Sequence, residues 1–599
     1  MSGHKKISGL LFTVFTAAIM LLSGACGGGE NNIVIGDDGK PVVTGKTKIQ
    51  FWAAVSASNK SIYDGLVAKF NAENEYQIEV KLVPKTTGYD SALGTSLKSN
   101  SPPDVVQVSD KYIKSYATDG LLEPLDDYLN NDNFRAKDGN GNNILNIDDI
   151  WPDAVRRFRY DVENYKESDT APLYGLIAYV DPTVLFYNAT QMRGQGINII
   201  SIAENELDAY NASNGTHYLP HGYYEYNTAP ASGLTQKDGK YRVFNNLICM
   251  NFEETVQIGK IFTKSYNASS PSDYGFFTEW WFSHGWSVGG DCIQWDDTLD
   301  GGQYRFTLGD QNPNYIITGA AGATVNGTSY AEGELLEYAD KIYVANNKAD
   351  AGVAELLTSR VLYEIPSQYD AFEEFCRLSQ ARDKEVNPGV AGYGISPNPN
   401  TINNDGKSMY FTSGKAAILS VEMSTIVAIN NSVGTRFEYD VAPQTQYREY
   451  EPDGTLTTVN GTAIVGKLAG ANNCGSLAIP QKSKAKFASW VFVEWMASEY
   501  AQSELAKTGS QLPNQISYTF SDAYQKAANP LPKNRRAVAE MGYYQTEGDW
   551  AYLENGAWVD PWANVLNGPV RNGTKSISDF FDEVTNSTNA SLKQYRGKK

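Results

Sequence analysis

The chain has 599 residues, a formal net charge of −19 and an isoelectric point near 4.8. This length exceeds what one hydrophobic core serves, so we expect at least two domains. The acidic balance argues against nucleic acid or anionic lipid as a partner, because both are bound by basic patches.

The first element is a secretory leader. Two lysines precede an apolar stretch over residues 10–22, and three small residues lead into Cys26. The pattern resembles bacterial lipoprotein leaders; the alternative is an ordinary signal peptide cut nearby. We expect residues 1–26 to be the signal peptide, Cys26 to carry the lipid and residues 27–45 to form a flexible tether. The apolar stretch is too short for a membrane span.

Strands and helices alternate in the next part of the chain. Alternating or continuous apolar residues predict strands over 46–54, 77–83 and 103–109. Apolar residues at helical spacing predict helices between these strands, over 61–71 and 91–99. This β-α-β-α-β order predicts an α/β fold with a doubly wound parallel sheet and helices on both faces.

Several sequence stretches carry a family resemblance. In the first part they are FW at 51–52, GYD at 88–90, PDVV at 103–106, Asp110 and GLLEPLDDYL at 120–129. Later come YGLIAYVDPTVLFYN at 174–188, YFTSGKAAILSVEMS at 410–424 and the stretch from Gly475 to Ser498. Together and in this order, they resemble family 1 extracellular solute-binding proteins, the maltose-binding-protein type that serves ABC sugar importers.

The resemblance implies a periplasmic-binding-protein-like fold, in which two lobes are joined by hinge strands and hold the ligand between them. Each lobe would be a doubly wound sheet flanked by helices. The first lobe would comprise residues 46–124 and 475–522, and the second residues 125–474 and 523–599. Polar stretches near 131–170, 205–245, 297–360 and 445–470 are interpreted as insertions in the second lobe, since surface insertions cost little closure entropy.

The function implied by the resemblance is capture of a carbohydrate, in particular an oligosaccharide, and delivery to the permease subunits of an ABC transporter. The protein would be a monomer without cofactor or catalytic activity, attached to the outer face of the cell membrane by its lipid alone. The composition supports a sugar ligand, because 38 Tyr, 23 Phe and 11 Trp supply flat amphipathic rings. Two alternatives remain open: a surface glycoside hydrolase, which needs two carboxylates, and a carbohydrate sensor or adhesion lipoprotein.

Three candidate ligand-binding residues come from the first lobe. Asp110 follows a strand, at the edge where open α/β sheets present ligand groups, and matches a family aspartate that accepts hydrogen bonds from sugar hydroxyls. Its alternative role is to cap the following helix. Tyr89 and Asn59 lie on loops that we expect to reach the mouth of the cleft.

The remaining candidates come from the second lobe. Asp181 lies in an apolar stretch, where an ionised carboxylate is costly unless it is paired or faces a polar ligand, and it matches an acidic family position; a structural role before Pro182 is the alternative. Glu279, Trp280 and Trp281 lie in the densest aromatic cluster, and two consecutive tryptophans are not both expected on one buried face. Trp562 matches a position near the end of the chain where the family has an aromatic residue that stacks on the ligand; packing in the core is the alternative role.

One insertion resembles a calcium-binding loop. Asp138, Asn140, Asn142 and Asp149 occupy positions 1, 3, 5 and 12 of such a loop, and a plain Asn/Gly-rich loop is the preferred interpretation. After Cys26 the chain has four widely spaced cysteines, for which both disulfides and buried free thiols remain open.

Overall fold

The computed structural model describes residues 31–595, apart from residues 56–58, 86, 166, 297–298, 300–301, 326, 337–342, 345–347, 350, 401, 403–405, 434–435, 528–531, 545–552 and 554–555. The predicted signal peptide, its lipidation site Cys26 and the start of the tether lie outside the described residues. In the later part of the predicted tether, Ile33–Ile35 pairs with Pro41–Val43 in an antiparallel hairpin. The buried side chain of Ile33 anchors this hairpin, which is the physical reason that the segment is ordered here rather than a plain linker.

A mixed sheet of eight strands runs through the molecule. Its strands are β1 (Thr47–Ala54), β2 (Ile78–Lys85), β3 (Val105–Ser109), β4 (Leu176–Asn188), β5 (Tyr274–Thr278), β6 (Ala416–Glu422), β7 (Tyr439–Ala442) and β8 (Asn472–Ala478). Their order across the sheet is β5-β6-β4-β8-β3-β1-β2, and β7 pairs with the second half of β4.

The predicted β-α-β-α-β unit is confirmed. Helices α1 (Lys60–Glu73), α2 (Tyr89–Leu97) and α3 (Asp110–Thr118) alternate with β1, β2 and β3, which are parallel to one another. Helix α1 turns one apolar face to the sheet, with Leu66 and Phe70 buried. Asn74 then ends the helix, because its side-chain amide donates to the carbonyl of Phe70 while its oxygen accepts from the amide of Ile78.

The chain returns late to complete the first lobe. In helix Lys486–Met496, the ring of Phe492 packs edge-on against Phe51 of β1 and Phe70 of α1, with centroids 5.2 and 5.0 Å apart. Tyr128 also packs on this helix, through the ring of Trp490 at 5.5 Å, so the contacts of this lobe continue beyond residue 124.

Strand β4 is the longest strand of the sheet. Its first half pairs with β8, and its second half lies between β6 and β7. Two large hydrophobic cores meet along it, because Val184 and Phe186 belong to one and Leu185 and Tyr187 to the other. The two faces of β4 therefore pack on different cores, because successive side chains along a strand point to opposite faces of the sheet. The mixed sheet with its flanking helices matches the predicted two-lobe α/β fold. That fold class is confirmed.

Short strands and further helices surround this sheet. The short strands are Ile33–Ile35, Pro41–Val43, Ile197–Ile200, Tyr223–Tyr226, Tyr241–Asn245, Ile293–Asp296, Gln303–Phe306, Asn314–Ile317, Ala323–Val325, Thr328–Tyr330, Leu335–Leu336, Tyr343–Val344, Lys348–Ala349, Leu362–Ile365, Glu385–Asn387, Val390–Ala391, Thr458–Val459 and Thr462–Ala463. The other α-helices are Asp126–Leu129, Pro152–Arg157, Ala189–Gly194, Leu207–Asn214, Phe252–Ile261, Phe282–Gly285, Ala351–Thr358, Gln368–Ser379, Lys407–Thr412, Ile426–Val433, Lys486–Met496, Glu499–Ala506, Ile516–Thr519, Asp522–Gln525, Arg535–Met541, Asp560–Val565 and Ile577–Leu592. Within the described ranges, no helix has the length and apolar character to span a membrane.

Candidate functional site

A pocket lies where three strands of the second lobe meet. Strands β5 and β6 are parallel, so their carboxyl ends reach the same edge of the sheet, with Thr278 beside Ser420. Thr183 of β4 pairs with Glu422 at the end of β6. The pocket is lined by Thr183, Thr278, Glu279, Trp280, Phe282, Ser283, Lys407, Ser420, Val421, Glu422, Gln444, Gly470, Ala471 and Asn473.

The pocket has aromatic rings on one side and charged, amide and hydroxyl side chains around them. The half-buried ring of Trp280 stacks on Phe282 at 5.7 Å and 11°, and Phe282 stacks on Trp286 at 4.0 Å and 4°. Carboxylates, side-chain amides and hydroxyls face the same space. An aromatic face with acceptors and donors around it suits a ligand that is apolar on its ring faces and hydroxylated at its edges.

The charged groups of the pocket are held in place. Glu279 forms an ion pair with Lys407. The backbone of the same segment is fixed from below by Arg571, whose guanidinium donates to the carbonyls of Glu279 at 2.7 Å and Thr278 at 2.9 Å. A third bond, from its Nε to Ser379 Oγ at 2.9 Å, fixes the side chain of Arg571. Arg571 thus fixes the backbone that leads into Trp280 before any ligand binds.

Asp181 lies beside this pocket, on β4. It pairs in register with Asn473, which lines the pocket, and its Oδ1 accepts a hydrogen bond of 2.9 Å from the backbone amide of Ser424. Burial is the main cause that raises the pKa of Asp181 to about 7; the hydrogen bonds from Ser424 oppose this rise, and the nearby Glu422 carboxylate adds to it.

Asp110 approaches the same region from the first lobe. Burial raises the pKa of the Tyr179 hydroxyl, and the next largest causes are the charges of Asp110 and Asp181. The two predicted acidic residues therefore lie near the same tyrosine. Asp110 forms an ion pair of 2.9 Å with Arg157, which also donates to the carbonyl of Asn472 on β8.

Asp110 does not cap helix α3, which was its alternative role. Asp110 is the first residue of α3, the preceding Ser109 is the N-cap, and no side-chain capping bond is formed. Its Oδ1 accepts from the amide of Lys111 at 2.9 Å, and a carboxylate in the first turn is favourable to the helix dipole.

The two other first-lobe candidates are not brought to the pocket. Tyr89 is buried, and its hydroxyl donates to the carbonyl of Gln107 at 2.7 Å and accepts from the amide of Gln107 at 3.0 Å. The hydroxyl is therefore occupied by the sheet, which corrects the prediction of a ligand contact. Asn59 is the N-cap position of α1 and does not line the pocket.

Two predicted stacking platforms lie in the core. Trp281 is fully buried, edge-on to Phe282 and Trp286 at 5.7 and 5.5 Å. Trp562 is also fully buried, with Phe306 and Trp558 as ring neighbours at 5.7 and 6.2 Å. The expectation that Trp562 and either tryptophan of the 280–281 pair stack on ligand is thus corrected to Trp280, because only that ring of the three lines the pocket.

The calcium-loop candidates do not form one ligand set in this structure. Asp138 accepts from the backbone amides of Asn140 and Asn142, both at 2.8 Å, and these bonds lower its pKa. Asp149 is bound instead to Ser517, whose amide donates to it at 2.9 Å. Across the described part of the chain, no group of three His, Cys, Asp or Glu side chains is arranged to hold a metal ion.

The four later cysteines are buried free thiols, which decides between the two alternatives left open by their spacing. They are Cys249, Cys292, Cys376 and Cys474.

Comparisons with known proteins relate part of this chain to a family model. Residues 65–342 match the model of a bacterial extracellular solute-binding protein. The predicted resemblance to extracellular solute-binding proteins is confirmed. The family model and the structural neighbours describe binding proteins.

Three solved structures share the fold over nearly the whole chain. An ABC substrate-binding protein from Listeria monocytogenes in complex with cycloalternan superposes with a TM-score of 0.54 at 14% identity, covering 92% of this chain and 100% of that one. The sugar-binding protein MalE from Xanthomonas citri gives 0.52 at 15%, covering 92% and 98%. A cyclic alpha-maltosyl-1,6-maltose binding protein from Arthrobacter globiformis gives 0.52 at 14%, covering 92% and 100%.

Sequence reasoning missed most of the polar lining. Lys407, Ser420, Gln444 and Asn473 come from four separate parts of the chain and carry no local motif. One signal was available, because a glutamate ends the apolar strand β6 at Glu422, and a carboxylate at the carboxyl end of a buried strand marks a ligand edge.

Proposed function

We propose that this solute-binding protein captures a carbohydrate, in particular an oligosaccharide, and delivers it to the permease of an ABC transporter. The observation that carries the proposal is the half-buried ring of Trp280 beside Glu279, Glu422 and Asn473 in one pocket. Three structures with this fold support it, since one holds cycloalternan, one is a sugar-binding protein and one is a cyclic alpha-maltosyl-1,6-maltose binding protein.

We assign four residues to ligand binding in this proposal. Trp280 stacks on a sugar ring, Glu279 and Asp181 accept from hydroxyls, and Asp110 accepts from the side of the first lobe. A carboxylate accepts stronger hydrogen bonds from hydroxyls than a neutral group does, so these residues fix the orientation of the sugar. The ion pairs of Glu279 with Lys407 and Asp110 with Arg157 hold both carboxylates in place.

Binding in this pocket requires the lobes to open and close. The pocket encloses about 80 Å³, room for several waters but less than the roughly 300 to 1,000 Å³ of small-molecule sites. Entry of a sugar therefore needs the two lobes to move apart about the strands that join them, which is hinge motion of the kind that binding proteins use.

The proposal also covers attachment and assembly. The leader supports export and a lipid on Cys26, and this lipid holds the protein at the outer face of the cell membrane. The protein is a monomer in this proposal, and its lobes have the boundaries that were predicted from the sequence. Mass spectrometry of the membrane-extracted protein tests the anchor: a mature chain beginning at Cys26 with an added diacylglyceryl mass supports it, and an unmodified amino terminus contradicts it.

A thermal-shift screen against neutral oligosaccharides tests the ligand class. A ligand at 100 times its dissociation constant stabilises the folded state by about 2.7 kcal/mol. A shift with an oligosaccharide that is lost in Trp280→Ala supports the proposal, whereas a shift with peptides or polyamines alone contradicts it. Chromatography of the incubated sugar distinguishes binding from hydrolysis, because products formed at catalytic protein levels would identify a glycoside hydrolase.

A further inference from the structure

A second and larger pocket forms where two of the predicted insertions meet. It is lined by 221 and 223–225 from the insertion near 205–245, by 450–452 and Gly454 from the insertion near 445–470, and by helix Phe252–Ile261. Its volume is about 650 Å³, within the roughly 300 to 1,000 Å³ of small-molecule sites. It shares no lining residue with the pocket beside Trp280.

His221 joins the two insertions beneath this pocket. Its Nδ1 is hydrogen-bonded to the Glu254 carboxylate, and its Nε2 lies 2.8 Å from the carbonyl oxygen of Gly454. Glu254 is itself fixed, since it accepts from the amides of Tyr223 and Asn251, both at 3.2 Å. A buried imidazole between two acceptors holds the second insertion onto the first, so the pocket is formed before any ligand arrives.

Gly454 allows this close approach. Its φ is +85°, a conformation that favours glycine, and a β-carbon at this position would lie 2.6 Å from Leu219 and 3.3 Å from the Nε2 of His221. The turn at Gly454 therefore packs against the imidazole of His221. Tyr450 and Glu451, which precede this turn, line the pocket.

The walls of the pocket present aromatic rings. The ring of Tyr450 stacks on His221 at 3.8 Å and 24°, and Tyr224 lies 4.4 Å from the same imidazole. Both phenol rings are half-buried and line the pocket. Rings held in this way lose little conformational freedom when a flat apolar face of a ligand packs on them.

Two of the carboxylates around the rings accept hydrogen bonds from neighbouring side chains. Glu225 accepts from Arg242 at 2.8 Å, and Glu253 accepts from the amide of Gln257 at 3.0 Å. Lys260 adds an ammonium to the lining. An anionic ligand would meet four lining carboxylates, whereas the hydroxyls of a neutral ligand find acceptors in these groups and a donor in Lys260.

We propose that this pocket is a second carbohydrate-binding site, which takes a neutral oligosaccharide on Tyr224 and Tyr450 independently of the pocket beside Trp280. Two sites on one membrane-attached chain would hold a long glycan at two points, and linked contacts of this kind raise the overall affinity without any new contact at either site. The proposal stands on residues that the transport proposal does not use.

The test uses the full soluble chain on an array of neutral α- and β-linked oligosaccharides. In the background of Glu279→Ala and Trp280→Ala, we expect binding to at least one array sugar to persist, and the further change Tyr224→Ala to weaken it at least tenfold. Tyr210→Ala is the matched control, because Tyr210 is an exposed tyrosine of the same insertion that does not line the pocket.

Each result bears on one of the two sites. No array binding in the Glu279→Ala and Trp280→Ala background, or equal effects of Tyr224→Ala and Tyr210→Ala at unchanged melting temperature, overturns the second site. Tyr224-dependent binding of choline or spermidine in place of any sugar overturns its ligand class. If the Glu279 and Trp280 changes alter no sugar binding while Tyr224→Ala abolishes it, the second site stands and the transport pocket fails.

Discussion

The ring of Tyr179 lies directly over the α-carbon of Gly475 on the neighbouring strand. A β-carbon at Gly475 would lie 2.1 Å from Cε1 and 2.4 Å from Cζ of that ring, closer than any van der Waals contact allows. The pairing register of β4 and β8 shifts directly after this glycine. The absence of a side chain thus gives Tyr179 its place between the two lobes, near both Asp110 and Asp181.

We expect Gly475→Ala to disturb the region between the lobes. The added methyl group has to displace a buried tyrosine ring, and overpacking of this kind costs about 1–3 kcal/mol of the free energy of unfolding. Chemical denaturation measures this cost. The control is Gly65→Ala in α1, where no atom lies within 4 Å of the new β-carbon and replacing glycine inside a helix is favourable. Equal stability of the two variants would contradict the close contact at Tyr179.

Asp181 should make stability depend on pH. Its folded-state pKa of about 7 lies above the ordinary value of 3.8, so the folded protein holds a proton that the unfolded chain has already released. The stabilisation is therefore fully present near pH 4, is lost as pH rises towards 7, and stays lost above it. Asp181→Asn removes this pH-dependent contribution to the free energy of unfolding and keeps a side-chain oxygen that accepts from the amide of Ser424.

Melting curves between pH 4 and pH 8 check this expectation. The difference in stability between Asp181→Asn and the unaltered protein should grow in favour of the variant as pH rises to about 7, with Ser424 still bound in both. Since other acidic groups titrate in both proteins, only the difference counts. A difference that is constant across this range would mean that Asp181 is not buried as described.

The fold was more predictable from the sequence than the site. The β-α-β-α-β unit follows from local periodicity, because each element buries its own apolar face, and both predicted helices occur within about two residues of the predicted bounds. The site depends on which distant strands meet. Glu279 and Trp280 were predicted from local aromatic density, but Ser420, Gln444 and Asn473 reach the pocket only through strand pairing that a single sequence does not encode locally.

The tryptophans show the limit of composition as a guide. Trp280 and Trp281 are adjacent, yet one lines the pocket and the other is fully buried. Alternation predicts that two neighbours face differently, but not which of them faces the ligand. Trp562 was predicted to contact the ligand because of its family position. In the structure it packs in the core against Trp558 and Phe306 instead.

Trp280→Ala and Trp562→Ala should have opposite consequences. Removing the half-buried Trp280 ring should weaken oligosaccharide binding by roughly 2 kcal/mol or more, as loss of an aromatic hot spot does, with little change in melting temperature. Removing the fully buried Trp562 ring should cost about 3–5 kcal/mol of stability through the cavity it leaves. Calorimetric titration and melting of both unliganded variants measure the two effects. Lost affinity at an unchanged melting temperature for Trp562→Ala would return that residue to the ligand site.

Arg571→Met should separate the support of the pocket from its lining. Arg571 is fully buried, and although burial lowers its pKa to about 10, it stays charged at neutral pH and donates to the carbonyls of Thr278 and Glu279. Methionine fills similar space but leaves both carbonyls without this donor, and each unsatisfied buried acceptor costs about 1–3 kcal/mol. We therefore expect a loss of roughly 2–6 kcal/mol in the free energy of unfolding.

The same variant should also weaken binding, because the freed carbonyls belong to the segment that begins with Glu279 and carries Trp280. Arg571→Lys should recover only part of the loss, since an ammonium does not reproduce the planar fork that reaches several acceptors. Arg193→Met is the control: its ion pair with Glu438 is 57% and 60% exposed, and such pairs contribute about 0–1 kcal/mol. Denaturation and titration of the three variants decide the matter, and if Arg571→Met is as stable as Arg193→Met, the carbonyls of Thr278 and Glu279 do not depend on this arginine.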